Sequence, residues 1–134
     1  MRSEGRIGPP DTMSDHKNQA FLHRLKFALT GLAAAWRTER SFRFQVVVLA
    51  CVLLILIVLR LEPLWWALVL LASGAVIAAE LFNTALEHLA DHLHPETHPR
   101  VAIVKDCAAA AVLVAALAAV AVGIALVVHL YARL

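Results

Sequence analysis

The stretch from Glu80 to Asp91 sets three acids and one amide, Glu80, Asn83, Glu87 and Asp91, at successive spacings of three, four and four residues. At ~100° per residue these four stay within roughly a third of a helix circumference, so they form one polar stripe. Leu81, Leu86 and Leu89 fall on the other side, toward lipid or neighbouring helices. The run from Leu64 to Ala79 just before the stripe carries no charge. A helix continuing through it therefore lies in a membrane already at Glu80. A carboxylate at that depth costs ~2.5–3.5 kcal/mol on insertion scales, so an aligned set needs a reason. The plain alternative is a solvated last turn where the helix leaves the bilayer, which suits Asp91 better than Glu80.

Glu80 and Glu87 are seven residues apart, or roughly 10 Å along a helix axis, too far to share one ion. The spacing suits one carboxylate at a metal near water and another deeper, toward the lipid headgroups. Lys105 and Asp106 stand at the start of the next apolar segment. A lysine there can neutralise phosphate charge, and a helix N-terminus supplies oriented N–H groups. Metal-binding carboxylates, a cation and a base for an attacking hydroxyl are the parts of a phosphoryl-transfer site. An ordinary helix anchor and cap is the competing account of the Lys105–Asp106 pair.

Composition fixes the setting of these residues. The chain has 134 residues, 61% hydrophobic and only 16% charged. That balance describes an all-α integral membrane protein and not a soluble domain. A net charge of +2 gives no footprint for nucleic acid. Cys51 and Cys107 both fall in apolar segments and are expected to be buried free thiols. No signal-peptide-like run precedes the first amphipathic segment, so insertion is expected to rely on the internal helices.

Residues 1–17 are polar and rich in glycine and proline, which predicts a disordered tail ahead of a membrane-embedded domain over 18–134. Over 18–37 the residues Phe21, Leu22, Leu25, Ala28, Leu29 and Leu32 recur at helical spacing among His23, Arg24, Lys26 and Arg37. This pattern predicts an amphipathic helix on the membrane surface. Residues 38–43 form a polar hinge, and spans follow at about 44–59, 64–91 and 101–129. Pro63 suits the first position of the second span, and Trp65 and Trp66 sit where interfacial aromatics belong. Pro95 and Pro99 predict a short loop over 92–100. Alanine and glycine in the third span allow close helix approach, and three spans bury little of their own surface, so an oligomer is expected. Arg24, Lys26, Arg37, Arg40 and Arg43 precede the first span, and Arg100 and Lys105 flank the second loop. The positive-inside rule then puts the N-terminus and the acidic end of the second span in the cytoplasm.

The stripe from Glu80 to Asp91, followed fourteen residues on by Lys105–Asp106 and an alanine-rich run, resembles the signature of the prokaryotic diacylglycerol kinase family, which includes undecaprenol kinases. The likeness extends upstream through Leu25–Leu32, Trp36, Glu39 and Phe42–Arg43, and covers the chain from about residue 20 onward. The resemblance implies a homotrimer in the bacterial inner membrane, with a surface helix and three spans per subunit and active sites shared between neighbours. It implies transfer of the γ-phosphoryl group of Mg-ATP to a lipid hydroxyl, with diacylglycerol giving phosphatidic acid, or undecaprenol giving undecaprenyl phosphate as the alternative. By position, Glu80 resembles the general base, and Glu39 and Glu87 the carboxylates that hold Mg2+ with ATP. Asn83 matches an asparagine supporting base and phosphates, and Lys105 and Asp106 match a pair that engages the nucleotide. Glu96, Thr97 and His98 match a segment beside adenine and sugar, and Phe27 an aromatic near the nucleotide.

Some positions depart from the enterobacterial branch. Gln45 stands in place of a glutamate, Ile103 in place of a basic residue, and Trp66 in place of an arginine. The segments around Glu39 and Leu25 look closer to the Gram-positive branch, where undecaprenol is a common acceptor. A different function class is suggested by His88, His92, His94 and His98, since the first two have the i, i+4 spacing of a helical metal pair. A metal transporter would need a carboxylate or histidine in the middle of the first or third span to continue a path through the membrane, and neither carries one there. A small structural subunit would leave the aligned Glu80, Asn83 and Glu87 without a role.

Overall fold

The computed structural model describes the backbone of residues 13–93 and 98–133, with side chains from Phe21 onward. Four helices appear in order: α1 (Met13–Thr38), α2 (Arg40–Val58), α3 (Pro63–Leu93) and α4 (Pro99–Tyr131). Three of them, α2, α3 and α4, are long and apolar enough to cross a membrane. The chain falls into two units, Met1–Ala34 and Ala35–Leu134.

In the first unit, α1 begins at Met13, inside the stretch whose composition suggested a tail. Thr30 Oγ1 donates to the Lys26 carbonyl at 2.9 Å, a back-bond one turn down the helix. The rings of His23 and Phe27, also one turn apart, meet edge-on with centroids 4.8 Å apart. Phe21, Leu22, Leu25, Phe27 and Leu29 are all exposed within this unit.

In the second unit the polar hinge shrinks to one residue. Glu39 alone takes an extended conformation, and Arg40 already opens α2, so the first span starts four residues before the apolar run does. The charged residues there extend the helix by a turn because nothing in Arg40–Arg43 breaks it. α2 and α3 are joined by a tight turn in which Arg60 adopts a positive φ of 49° and Leu61 N–H bonds back to the Leu56 carbonyl at 3.1 Å. Pro63 stands first in α3, where its missing N–H costs nothing.

α3 packs against both α2 and α4. At the end nearest the α2–α3 turn, Leu56, Leu61, Trp65, Val69 and Leu126 form the core, and Leu56 is fully buried at 0% exposure. His129 tilts its ring onto Trp65 with centroids 5.0 Å apart, and Arg133 pairs with Glu62 beyond it. Most other apolar side chains are exposed on this single chain, as expected of helices meant for lipid or for other chains. Cys51 and Cys107 are free thiols, but both are exposed and not buried. α3 stays helical through His92 to Leu93, past the predicted start of the second loop. Pro99 opens α4 instead of belonging to that loop. A Cβ on Gly123 would meet open space and Ala109, Ala110 and Ala111 are exposed. Ala108, by contrast, is buried, so the small residues of α4 divide between a packed side and an exposed one.

Candidate active site

Glu80 is the one polar residue that is buried among the described residues, at 5% exposure. Its place follows from α3 continuing unbroken out of an apolar run, with Val76 buried one turn earlier on the same face. A carboxylate in such surroundings needs donors. Both come from the start of α2: Ser41 Oγ–H donates to Glu80 Oε1, and Gln45 Nε2–H donates to Oε2 at 3.3 Å. Ser41 and Gln45 lie four residues apart, one above the other on the same helix face. No lysine, arginine or histidine among the described residues pairs with Glu80, so both of its side-chain partners are neutral.

One turn further along α3, Asn83 Nδ2–H donates to Glu87 Oε1 at 3.0 Å. The Asn83 Oδ1 is buried without a donor, and so is the Oε1 of Gln45. Such orphaned acceptors each cost ~1–3 kcal/mol unless another group arrives to fill them. Glu39 holds the N-cap position of α2 without using its side chain as a cap, and its Oε1 lies 3.8 Å from His88 Nε2. Between α3 and α4, Lys105 Nζ meets Asp91 Oδ1 at 2.5 Å. Asp106, the next residue, is exposed.

The structure thus brings Glu39, Glu80, Asn83, Glu87 and Lys105 into one unit, on α3 and the segments packed against it. Phe27 belongs to the other unit, where its recorded partner is His23. Glu96 and Thr97 lie outside the described residues. His98 has a local role: its Nδ1 accepts from Arg100 N–H at 3.2 Å and caps α4. Among the described residues no three His, Cys, Asp or Glu side chains converge as a ready metal-binding group. His88 and His92 are both exposed on α3, and His94 lies outside the described residues.

Sequence reasoning missed Ser41 and assigned Gln45 no place in the site. The available signal was their i, i+4 spacing at the start of a span, with Gln45 the first polar side chain inside an apolar run. Gln45 also lines a cleft of about 220 Å³ together with Phe44, Val48, Ser73, Ile77 and Ala116. Apart from Gln45 and Ser73 its walls are apolar, and Gln45 links it to Glu80 through the bond from Nε2.

Three apolar helices around a buried, doubly hydrogen-bonded glutamate define a multi-pass membrane protein with a polar site built into its helices. Residues 26–127 match the family model for prokaryotic diacylglycerol kinase. The chain is 33% identical over 112 residues to an undecaprenol kinase of Bacillus subtilis, covering 82% of this chain and 91% of that protein. It is 40% identical over 99 residues to a diacylglycerol kinase of Synechocystis, covering 73% of this chain and 57% of that longer protein. A diacylglycerol kinase of Escherichia coli is 31% identical over 94 residues, covering 70% of this chain and 77% of its own length. The chain belongs to the prokaryotic diacylglycerol kinase family, a family of lipid kinases.

Proposed function

We propose that this chain transfers the γ-phosphoryl group of Mg-ATP to the hydroxyl of a membrane lipid, with diacylglycerol as acceptor and phosphatidic acid as product. The observation that carries this reading is Glu80: a carboxylate buried among apolar helices and held by two donors, one of which, Gln45, also lines an apolar cleft. Glu80 takes the proton of the lipid hydroxyl as its oxygen forms the new bond to the γ-phosphorus. The bond from that phosphorus to the bridging oxygen breaks, and ADP departs with the electron pair. Catalysis of this kind is mainly positioning and charge stabilisation, and Lys105, whose ammonium now rests on the exposed Asp91, is free to turn to phosphate oxygens. Asp106 follows it directly in the chain, and by the family resemblance Asp106, the segment Glu96–His98 and Phe27 are assigned to the nucleotide.

Glu39 and Glu87 are the side chains that would hold Mg2+. A hard divalent ion of this size takes oxygen ligands and commonly only one or two protein carboxylates, with phosphate and water completing the shell. The donor set fits: one Glu87 oxygen is bonded to Asn83 while the other is not, and the orphaned Asn83 Oδ1 offers a further oxygen. When bound, the ion would neutralise charge on the β- and γ-phosphates.

Undecaprenol is the alternative acceptor, favoured by the extent of the match to the Bacillus subtilis protein. The same residues serve either alcohol. We place the protein in the bacterial inner membrane with α1 and the site on the cytoplasmic side, which the distribution of basic residues supports. The amphipathic pattern of α1 supports a place at the membrane surface. Exposed apolar faces on every span support assembly into a homotrimer with sites shared between neighbours. Purified protein given radiolabelled ATP with diacylglycerol and undecaprenol side by side tests the reading. Label is expected in the lipid phase with diacylglycerol. Label with undecaprenol alone transfers the assignment to that alcohol, and label with neither overturns it.

A further inference from the structure

We propose that Ser41 and Gln45 are positioning residues that fix the direction of the Glu80 carboxylate and support it in both protonation states. The inference rests on Glu80 being the base. Ser41 Oγ–H and Gln45 Nε2–H each occupy one oxygen of Glu80, and both project from one face of α2, a turn apart. The terminal torsion of a glutamate is broad and nearly unrestrained by itself. A donor on each oxygen removes that freedom, so the lone pairs left to receive a proton, one on each oxygen, are held in fixed directions. An acceptor held in the reactive direction avoids a reorganisation cost at the moment of transfer.

Gln45 has a second property that an aliphatic or hydroxyl side chain would lack. Its Oε1 is buried with no donor, while its Nε2 is engaged. A terminal amide carries donors on one side and an acceptor on the other. While Glu80 is ionised, the N–H side of Gln45 faces it. Once Glu80 has taken the hydroxyl proton it becomes a donor, and a turn of the Gln45 amide brings Oε1 to accept from it. The orphaned oxygen is thus the half of the amide that serves the neutral acid. Ser41 adapts in the same way, since a hydroxyl both donates and accepts, and its exposure lets it adjust without disturbing packing.

The test measures kcat, KM for ATP and Tm for Ser41→Ala, Ser41→Thr and Gln45→Met, each in the otherwise unaltered chain and in the Glu80→Gln background. Ser41→Ala and Gln45→Met are each expected to lower kcat on the order of tenfold, the worth of one hydrogen bond to a charged group. KM for ATP and Tm stay near the parent values, and Ser41→Thr recovers most of the loss. In Glu80→Gln the same substitutions cost nothing further, because there is no base left to position. A kcat within about twofold of the parent for both Ser41→Ala and Gln45→Met, against the tenfold expected of such a bond, overturns the proposal. So does an equal loss in both backgrounds, or a loss confined to KM or Tm. Where residual turnover of Glu80→Gln is below detection, the split between kcat and KM decides. Full turnover by Glu80→Gln itself defeats the base assignment. Loss in Glu80→Gln with unaltered Ser41→Ala and Gln45→Met defeats the positioning role alone.

Discussion

Asn83 bonds Glu87 through its N–H side at 3.0 Å, while the carbonyl side of the same amide is buried with no donor. The two residues are one turn apart on α3, so the helix itself sets their distance. This arrangement pins a carboxylate while presenting an oxygen that a hard cation or a phosphate-bound water can fill. It also gives the amide one of its hydrogen bonds within the chain.

Glu87→Gln is therefore expected to lose activity steeply at limiting Mg2+ and to regain part of it at high Mg2+. Its Tm should change little, since glutamine can still accept from Asn83. Asn83→Ala should raise the Mg2+ requirement severalfold by releasing Glu87. Activity against Mg2+ concentration at saturating lipid measures both. An unaltered Mg2+ dependence in folded Glu87→Gln removes Glu87 from the metal.

Lys105 and Asp91 give a contrasting case. Their ion pair joins α3 to α4, yet the Asp91 side chain is 66% exposed, and exposed pairs contribute only ~0–1 kcal/mol. Asp91→Asn is thus expected to leave Tm within a few degrees and to leave KM for ATP unchanged or improved, because Lys105 is released for phosphate. Lys105→Met should raise KM for ATP by on the order of tenfold, as expected for a lost bond to a charged group. Titrating nucleotide binding and following thermal unfolding on both variants separates these roles. A large fall in Tm for Lys105→Met with unaltered nucleotide binding would make the lysine a structural anchor.

The cleft beside Gln45 permits a test of the lipid side. Ala116→Phe fills space lined by Val48, Ser73 and Ile77. If the acceptor's tail lies there, KM for lipid rises while KM for ATP holds, and the two alcohols are affected unequally because their chains differ in bulk. A change in oligomer size by light scattering, with no change in lipid KM, would instead assign the cleft to a neighbouring copy.

Much of this architecture was legible because the governing signals are local. An uncharged run from Leu64 to Ala79 leaves the backbone no option but a helix in lipid. The three- and four-residue spacing from Glu80 to Asp91 fixes one face whatever surrounds it. Boundaries were less legible. Arg40–Arg43 read as a hinge because they are polar, but polarity does not break a helix, and α2 begins at Arg40. The partners of Glu80 required knowing that α2 folds back along α3, a tertiary fact that no spacing within α3 contains. The exposure of Cys51 and Cys107 went against expectation for a related reason. In lipid an apolar segment need not be a buried one.

Assembly is tested by complementation. Ser41 and Gln45 hold Glu80 within one chain, so the proposed base needs no second copy to be held in place. If copies assemble with shared sites, as proposed above, Glu39 is the residue that would act on a neighbour's nucleotide. Inactive Glu39→Ala and inactive Glu80→Ala chains, mixed and allowed to exchange, are expected to regain part of the activity in hybrids. Inactivity at every ratio, with exchange confirmed by cross-linking, would establish a site complete within one chain.

The sharpest expectation concerns Glu80. Glu80→Gln keeps the volume of the side chain and the packing of α3 against α2. Its amide oxygen can still accept from Ser41 or Gln45, so the fold is preserved. What it loses is the capacity to take a proton. Assistance by a general base is typically worth ~10²–10⁴-fold in rate, so kcat should fall by that much with Mg-ATP binding intact. Glu80→Asp keeps the charge but withdraws the carboxylate by one methylene, away from both donors on α2 and from the lipid hydroxyl. It should also lose most turnover, because misplacement by about 1 Å can cost ~10²-fold. A carboxylate that merely ended a helix would behave in the opposite way: glutamine would ease insertion, raise Tm and leave turnover intact. Measuring kcat, nucleotide affinity and Tm on the purified Glu80→Gln and Glu80→Asp proteins separates the two. A Glu80→Gln turnover within about threefold of the parent, well short of the general-base range, would end the assignment.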